Sequence, residues 1–470
     1  MTPAAPERGE PPAPVTPPEA SGGVAVAVLP GGGDPPLKSF IAIGLGQVVS
    51  LLGTGLSQFA VGVWLYQQTQ SISQYALMTL CYMLPALLIS PLAGALVDRW
   101  DRRWVMISSD SVAALGTLVM AALFAGGALR PWHLYLIVSV SSLARAFQAP
   151  AFAAAMTSLV PSRMLGRANG LMQLGEAASH VLAPVSAGAL ISTLGLWAVL
   201  LADFGTFLVA LVPLLLLRIP APVPSAREQR TEGSRWDELT LGLRYISGRD
   251  GLMGLLILFA FLNVTLALVE VLVPAFILKS SDAATLGRVS SIAALGMVCG
   301  SLLMMVWGGP RRRVMGIFGF GAVMALGLVV AGARPSMPLI MAGGFCFFFC
   351  VPLISSCNQA LWQAKVAQDV QGRVFAARSV VSYATIPVAY GLAGPLADDL
   401  FEPLLAPGGA LSGGVGRLIG VGEGRGIALL FILMGLLCLG GLLAAFLHPR
   451  VRRVELELPD PPGGAGVDRA

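Results

Sequence analysis

The sequence predicts an all-α polytopic membrane protein, with twelve transmembrane helices in two pseudo-symmetric six-helix bundles. Three observations predict it. Of the 470 residues, 56% are apolar and the mean hydropathy is +0.78, more than a soluble domain can cover with polar surface. The apolar residues gather into blocks of roughly 20 to 28, the length that crosses a bilayer core as a helix. The longest connection then divides the blocks six and six, and short sequences on one side of it echo sequences on the other.

Residues 1–37 are rich in Pro and Gly and hold little to build a core from, so they read as a disordered tail. The spans fall at about 40–66, 74–97, 104–128, 131–156, 166–192 and 195–217, then 251–278, 285–308, 314–332, 337–362, 373–397 and 426–447. The first bundle therefore occupies 38–217, the second 251–448, and 449–470 forms a second tail. In the linker, 218–250, RIPAPVPSAREQRTEGS looks flexible. RWDELTLGLRYISG alternates apolar and polar residues at a helical period, which predicts a short helix along the membrane surface.

Charge sets the expected orientation. With the N-terminus cytoplasmic, six basic residues face outward: Arg130, Lys279, Arg288, Arg334, Arg417 and Arg425. Twenty-one lie in or beside the inner segments, the positive-inside bias, so both termini are expected in the cytoplasm.

The two halves repeat each other. DRRWVM at 101–106 returns as PRRRVM at 310–315, and the segment opening at Gly166 returns at Gly372, offsets of 209 and 206. GALVDRWDRR, after the second span, resembles the signature of the major facilitator superfamily: Gly94, Asp98, Arg99, Arg102 and Arg103 fall on its pattern. Asp101 stands where the signature usually has Gly. FAVGVWLYQQTQS, ARAFQAPAFAAAMTSLVP and LGRANGLMQ are similar to its drug- and siderophore-exporter branch, which includes macrolide efflux proteins and the enterobactin exporter.

That resemblance implies a cytoplasmic gate. The motif carboxylate contacts the start of the eleventh helix, here Gly372 and Arg373, and nearby arginines, locking the halves when the cavity faces outward. The physics agrees: Asp98 opposes the dipole at the end of its own helix, whereas a helix N-terminus offers free N–H groups. Asp110, just beyond the arginines, is expected to join this network. The second-half copy, WGGPRRRVM, lacks an acid, so the gate is asymmetric. Positive-inside decoration alone would explain the arginines but not Asp98.

Ionisable groups inside spans are costly and tend to mark coupling or substrate sites. The proton-coupling candidates are Glu176, Glu270, Asp203 and Arg145. Arg145 and Glu176 both fall roughly 15 Å from the inner surface at ~1.5 Å per residue, so a pair between adjacent spans is expected. Coupling, a static structural pair and substrate recognition all remain open for that pair. Glu176 leads, with His180 one turn away read as a packed residue. Glu270 follows, since the family's seventh span faces the central cavity. Asp203 reads first as a structural acid. Substrate-contact candidates are Gln58, Trp64, Asn263, Asn358, Gln359, Tyr383 and Tyr390, a set suited to a large apolar ligand. Trp64 and Trp362 also fit interfacial anchors.

Other functions find no support. There is no phosphate-binding GxxxxGK[ST], no HExxH, and the cysteines sit in apolar blocks without His or acidic neighbours, so no enzyme activity, metal or cofactor is expected. The arginines form no aromatic-laced patch for nucleic acid. The resemblance instead implies a secondary transporter in the bacterial cytoplasmic membrane, monomeric, exchanging protons for amphipathic drugs or natural products. A siderophore exporter and a lysophospholipid transporter are its alternatives.

Overall fold

Proline and side-chain caps set where many of the long helices begin. In the computed structural model, which describes residues 36–97, 100–159, 165–217, 235–366 and 370–457, Pro36 and Pro131 are the first residues of α1 (Pro36–Thr69) and α4 (Pro131–Leu159). A first-turn proline loses only an N–H that has no helical partner. Asp101 caps α3 (Arg102–Ala125) by accepting the Arg103 N–H at 2.9 Å, which gives the aspartate at the signature's usual glycine a structural role. Asp282 caps α9 (Ala283–Trp307) through the Thr285 N–H at 2.9 Å. The hydrogen bonds from Thr285 hold the Asp282 carboxyl below its ordinary range.

The remaining long helices are α2 (Ile72–Val97), α5 (Leu165–Thr193), α6 (Gly195–Leu216), α8 (Asp250–Leu278), α10 (Arg313–Ala333), α11 (Met337–Lys365), α12 (Gln371–Gly394) and α15 (Arg425–Leu447). Among the described residues this makes twelve helices, from 21 to 34 residues long, and no strand. Eleven spans are apolar enough to cross a membrane. The other long helix is α5, whose sequence includes Arg167, Glu176 and His180. The linker motif forms α7 (Arg235–Ser247), which packs on α12 and α8. After α12 the chain continues through a π-helical turn (Pro395–Phe401) and the short helices α13 (Glu402–Leu405) and α14 (Val415–Ile419). Two further short helices, α16 (Pro449–Arg452) and α17 (Val454–Glu457), follow α15.

Helix pairing repeats between the halves. In the first half α1 packs on α5 and α6, α4 on α2 and α3, and α3 on α6. In the second half α8 packs on α12 and α15, α11 on α9 and α10, and α10 on α15, the same pattern in the same chain order. The two main crossings between the halves, α5 with α9 and α2 with α12, exchange under the same correspondence.

Both crossings are tight because small residues let backbones meet. A side chain added at Gly188 would meet the Ala283 carbonyl at 2.7 Å, and one at Gly394 would meet Ser73 Cα at 2.5 Å. Ser291 of α9 donates to the Val181 carbonyl of α5 at 2.5 Å. Asp398, in the π-helical turn, accepts the Ile72 N–H at 2.8 Å and so caps α2 from the other half. These links lie toward the face opposite α7 and the ends of the described chain, called here the sealed face.

One side-chain insertion belongs to the N-terminal half. Within α2, beside Pro85, the Ser142 hydroxyl of α4 inserts between two helix groups, donating to Tyr82 O at 2.5 Å and accepting from Ala86 N at 3.2 Å. A side chain thereby re-satisfies helix groups that have no water to turn to in a bilayer.

Candidate functional site

Glu270 is the acid that both halves enclose. It lies on α8, near the sealed face, and its carboxylate accepts the Tyr390 hydroxyl of α12 at 3.0 Å. His180 of α5 lies within electrostatic reach of it. Tyr75 of α2 does as well. Tyr390 is buried, yet Glu270 itself is exposed. A side chain ringed by groups from α2, α5, α8 and α12 does not face lipid, so its exposure is to space inside the bundle. Three of these, α2, α5 and α12, take part in the two interhalf crossings, and a change at this carboxylate acts where the halves meet.

Among the described residues the buried acids, Asp110 and Asp203, belong to the N-terminal half alone. Asp203 of α6 accepts the hydroxyls of Ser57 (α1) and Thr117 (α3), the latter at 3.0 Å. Asp110 of α3 accepts the Gln47 amide of α1 at 3.0 Å and the Gln148 amide of α4, and those two amides bond to each other at 2.9 Å. Each carboxylate is thus a polar node between three helices, satisfied by neutral donors.

Residues 43–390 match the family model of the Major Facilitator Superfamily. The chain belongs to that superfamily. Macrolide efflux protein A of Streptococcus pyogenes is 26% identical over 370 residues, covering 77% of this chain and 90% of the relative. Multidrug efflux pump Tap of Mycobacterium tuberculosis is 27% identical over 373 residues, covering 75% and 85%. Among solved structures, a bacterial homologue of the human lysosomal transporter Spinster superposes with a TM-score of 0.67 at 15% identity, covering 92% of this chain and 100% of that one. A bacterial homologue of the iron transporter ferroportin gives 0.60 at 17%, covering 87% and 98%. The chain is a multi-pass membrane transporter of this superfamily, similar to drug efflux proteins.

Within the superfamily signature, Asp98 and Arg99 lie outside the described residues. Gly94 ends up in the last turn of α2, and Gly372 and Arg373 in the first turn of α12, with side chains outside the description. Arg102 donates to the Ala154 carbonyl of α4 at 2.9 Å, and Arg103 to Leu214 and Leu215 of α6 at 2.7 and 2.6 Å. Both arginines therefore bind carbonyls near helix C-termini, where the dipole favours a cation. Neither reaches Asp110, whose oxygens are taken by Gln47 and Gln148; the expected link between them is absent.

The expected Arg145–Glu176 pair does not form either. The Arg145 guanidinium lies over the Tyr82 ring, 5.3 Å from its centroid, and Glu176 is exposed, with no ion pair to Arg145. The cause is topological. α4 packs on α2 and α3, whereas α5 packs on α1, α6 and α9, so consecutive helices at equal depth are not close neighbours. His180, read from sequence as packed, is exposed beside Glu270.

The substrate-contact candidates disperse. Trp64 packs edge-on against Phe124 at 6.4 Å, inside the N-terminal core. Gln58 and Asn263 are half-buried on α1 and α8, and Tyr383 is exposed on α12. Asn358 is buried and accepts the Trp362 indole N–H at 3.0 Å, while Gln359 accepts from Arg378 at 2.7 Å. Trp362 is fully buried, so it is a core residue and not an interfacial anchor. Sequence reasoning passed over Tyr75, Asp398 and Arg378. Tyr75 and Arg378 are polar groups within apolar spans, a signal that could have flagged them. Asp398 carried none, because it lies at a span end where an acid is unremarkable.

Proposed function

We propose that this transporter is a proton-coupled antiporter that exports amphipathic drugs or natural products by alternating access. The observation that carries the reading is Glu270, one carboxylate enclosed by helices of both halves, at the junction that must rearrange when access alternates. Protonated, it needs no counter-charge; ionised, it attracts a cationic or strongly polar ligand group. Exchange of a proton for ligand at one carboxylate couples the two fluxes. The efflux relatives support the direction and the ligand class.

The basic residues favour the face carrying α7 as cytoplasmic, in the bacterial plasma membrane. With the halves joined at the sealed face, the Glu270 site is then read as open toward the cytoplasm. Asp398 on the α2 N-terminus latches the outer side in this state. By the same logic Asp98 would latch the α12 N-terminus in the opposite state, with Arg102 and Arg103 holding α3 so that the preceding turn is presented correctly. Gly94, Arg99, Gly372 and Arg373 belong to that second latch. Glu176 and His180 line the path to Glu270, and Tyr383 and Asn263 are the remaining candidates to touch ligand.

Expression in a drug-sensitive bacterium tests this. Cells carrying the protein should accumulate less erythromycin than controls, and a protonophore should abolish the difference. Equal accumulation across macrolides, dyes and quaternary ammonium compounds would reject drug export.

A further inference from the structure

Arg378 is a cation inside a membrane span with no anion beside it among the described residues. It lies seven residues past the start of α12 at Gln371, about 10 Å along the axis at ~1.5 Å per residue. Its Nη2 donates to neutral Gln359 at 2.7 Å, and no carboxylate among the described residues pairs with it. The guanidinium stands 5.4 Å from the ring centroids of both Trp362 and Phe375. Nη1 is enclosed by protein and has no protein acceptor. The same holds for Nδ2 of Asn358, one helical turn from Trp362 and bonded to its indole through Oδ1.

The unpartnered groups of the cluster are therefore both donors, one guanidinium nitrogen and one amide nitrogen, beside two aromatic rings. Enclosing a charge is expensive unless an opposite charge meets it, and a helix-to-helix clamp on Gln359 would need only a neutral donor. The planar fork matches an oxyanion, and the rings favour an apolar body attached to it.

We propose that Arg378, Asn358, Trp362 and Phe375 form a binding site for an oxyanion, carboxylate or phosphate, carried on an amphiphile. Its source is either a membrane lipid headgroup or an anionic solute entering the bundle. The site stands apart from Glu270: along α12 it is about 18 Å from Tyr390 at ~1.5 Å per residue.

Binding of laurate, dodecyl phosphate and dodecanol to purified, delipidated full-length protein tests it, by isothermal titration in a neutral detergent. Laurate and dodecyl phosphate should bind at least tenfold more tightly than dodecanol. Arg378→Gln should erase that preference, and Arg378→Lys should retain part of it. Asn358→Asp, which keeps the indole acceptor but places an acid beside Arg378, should also erase it. That variant decides the matter if Arg378→Gln fails to fold. Competition of dodecyl phosphate by phosphatidylglycerol would assign the site to lipid, and laurate binding unaffected by that lipid would assign it to solute. Equal affinity for dodecanol and the anions, or anion preference surviving in Arg378→Gln or Asn358→Asp, would overturn the proposal and leave Arg378 as a static clamp.

Discussion

Asp398 and Ile72 belong to different halves, and the carboxylate of one caps the helix that begins at the other, with N–H to Oδ2 at 2.8 Å. Among the described residues this bond and the Ser291–Val181 contact at 2.5 Å are hydrogen bonds that hold the halves together, both toward the sealed face. Losing an N-terminal cap costs about 1 kcal/mol. Asp398→Ala should therefore shift the conformational equilibrium roughly fivefold away from the state described. Labelling of a cysteine introduced at Ser73 by a membrane-impermeant maleimide reads this out, and an unchanged labelling rate would remove the latch role.

Tyr390 tests whether the Glu270 hydrogen bond matters for transport or only for packing. A hydrogen bond to a charged group contributes about 1.5–3 kcal/mol, so Tyr390→Phe should slow ligand-driven proton exchange roughly tenfold or more. The same change should alter the melting temperature little, since the ring stays in place. A large loss of stability with intact exchange would make the contact structural.

Arg103 is expected to behave in the opposite way. It binds two carbonyls at the end of α6, and its removal takes away the side-chain donor that these last-turn groups have among the described residues. Arg103→Ala should destabilise the detergent-solubilised protein by about 1–3 kcal/mol, seen as a lower midpoint in thermal unfolding. Arg103→Lys should recover part of this by keeping the charge at the helix end.

Asp203→Asn separates structure from coupling. With Ser57 and Thr117 both donating to one oxygen, the amide variant keeps the acceptor and loses the charge. Transport coupled to protons should persist in it, with stability lowered by about 1 kcal/mol. Loss of proton coupling at normal expression would move the coupling role from Glu270 to Asp203.

The cap of α9 carries a pH signature. Because hydrogen bonds from Thr285 lower the folded-state pKa of Asp282, its stabilisation is fully present above the ordinary carboxylate pKa of about 3.9. It is lost as pH falls through the depressed value. Asp282→Asn should therefore flatten the acid limb of a thermal-stability profile below about pH 4, while leaving the neutral region nearly unchanged.

The fold was legible because membrane spans announce themselves by length and apolarity, and because the halves repeat. The boundaries of α6 and α8 fall within a residue of the expected spans, and the amphipathic linker segment is α7. The site was legible only in part. Glu270 and Tyr390 stand out in the sequence as separate candidates, but nothing in the sequence joins α8 to α12, or brings α2 and α5 beside them. Depth along a helix can be counted from sequence, whereas the direction a side chain faces depends on which helices are neighbours. Equal depth therefore suggested Arg145 with Glu176, while packing assigned Arg145 to Tyr82. The same gap hid Gln47 and Gln148, whose amides occupy the Asp110 carboxylate in place of an arginine.

The most direct measurement is proton movement in sealed proteoliposomes, followed by an internal pH dye as erythromycin is added, for wild type, Glu270→Gln and Glu176→Gln. Coupling through the carboxylate shared by both halves predicts ligand-dependent proton flux in wild type and Glu176→Gln, and its loss in Glu270→Gln. Undiminished flux in Glu270→Gln would contradict it.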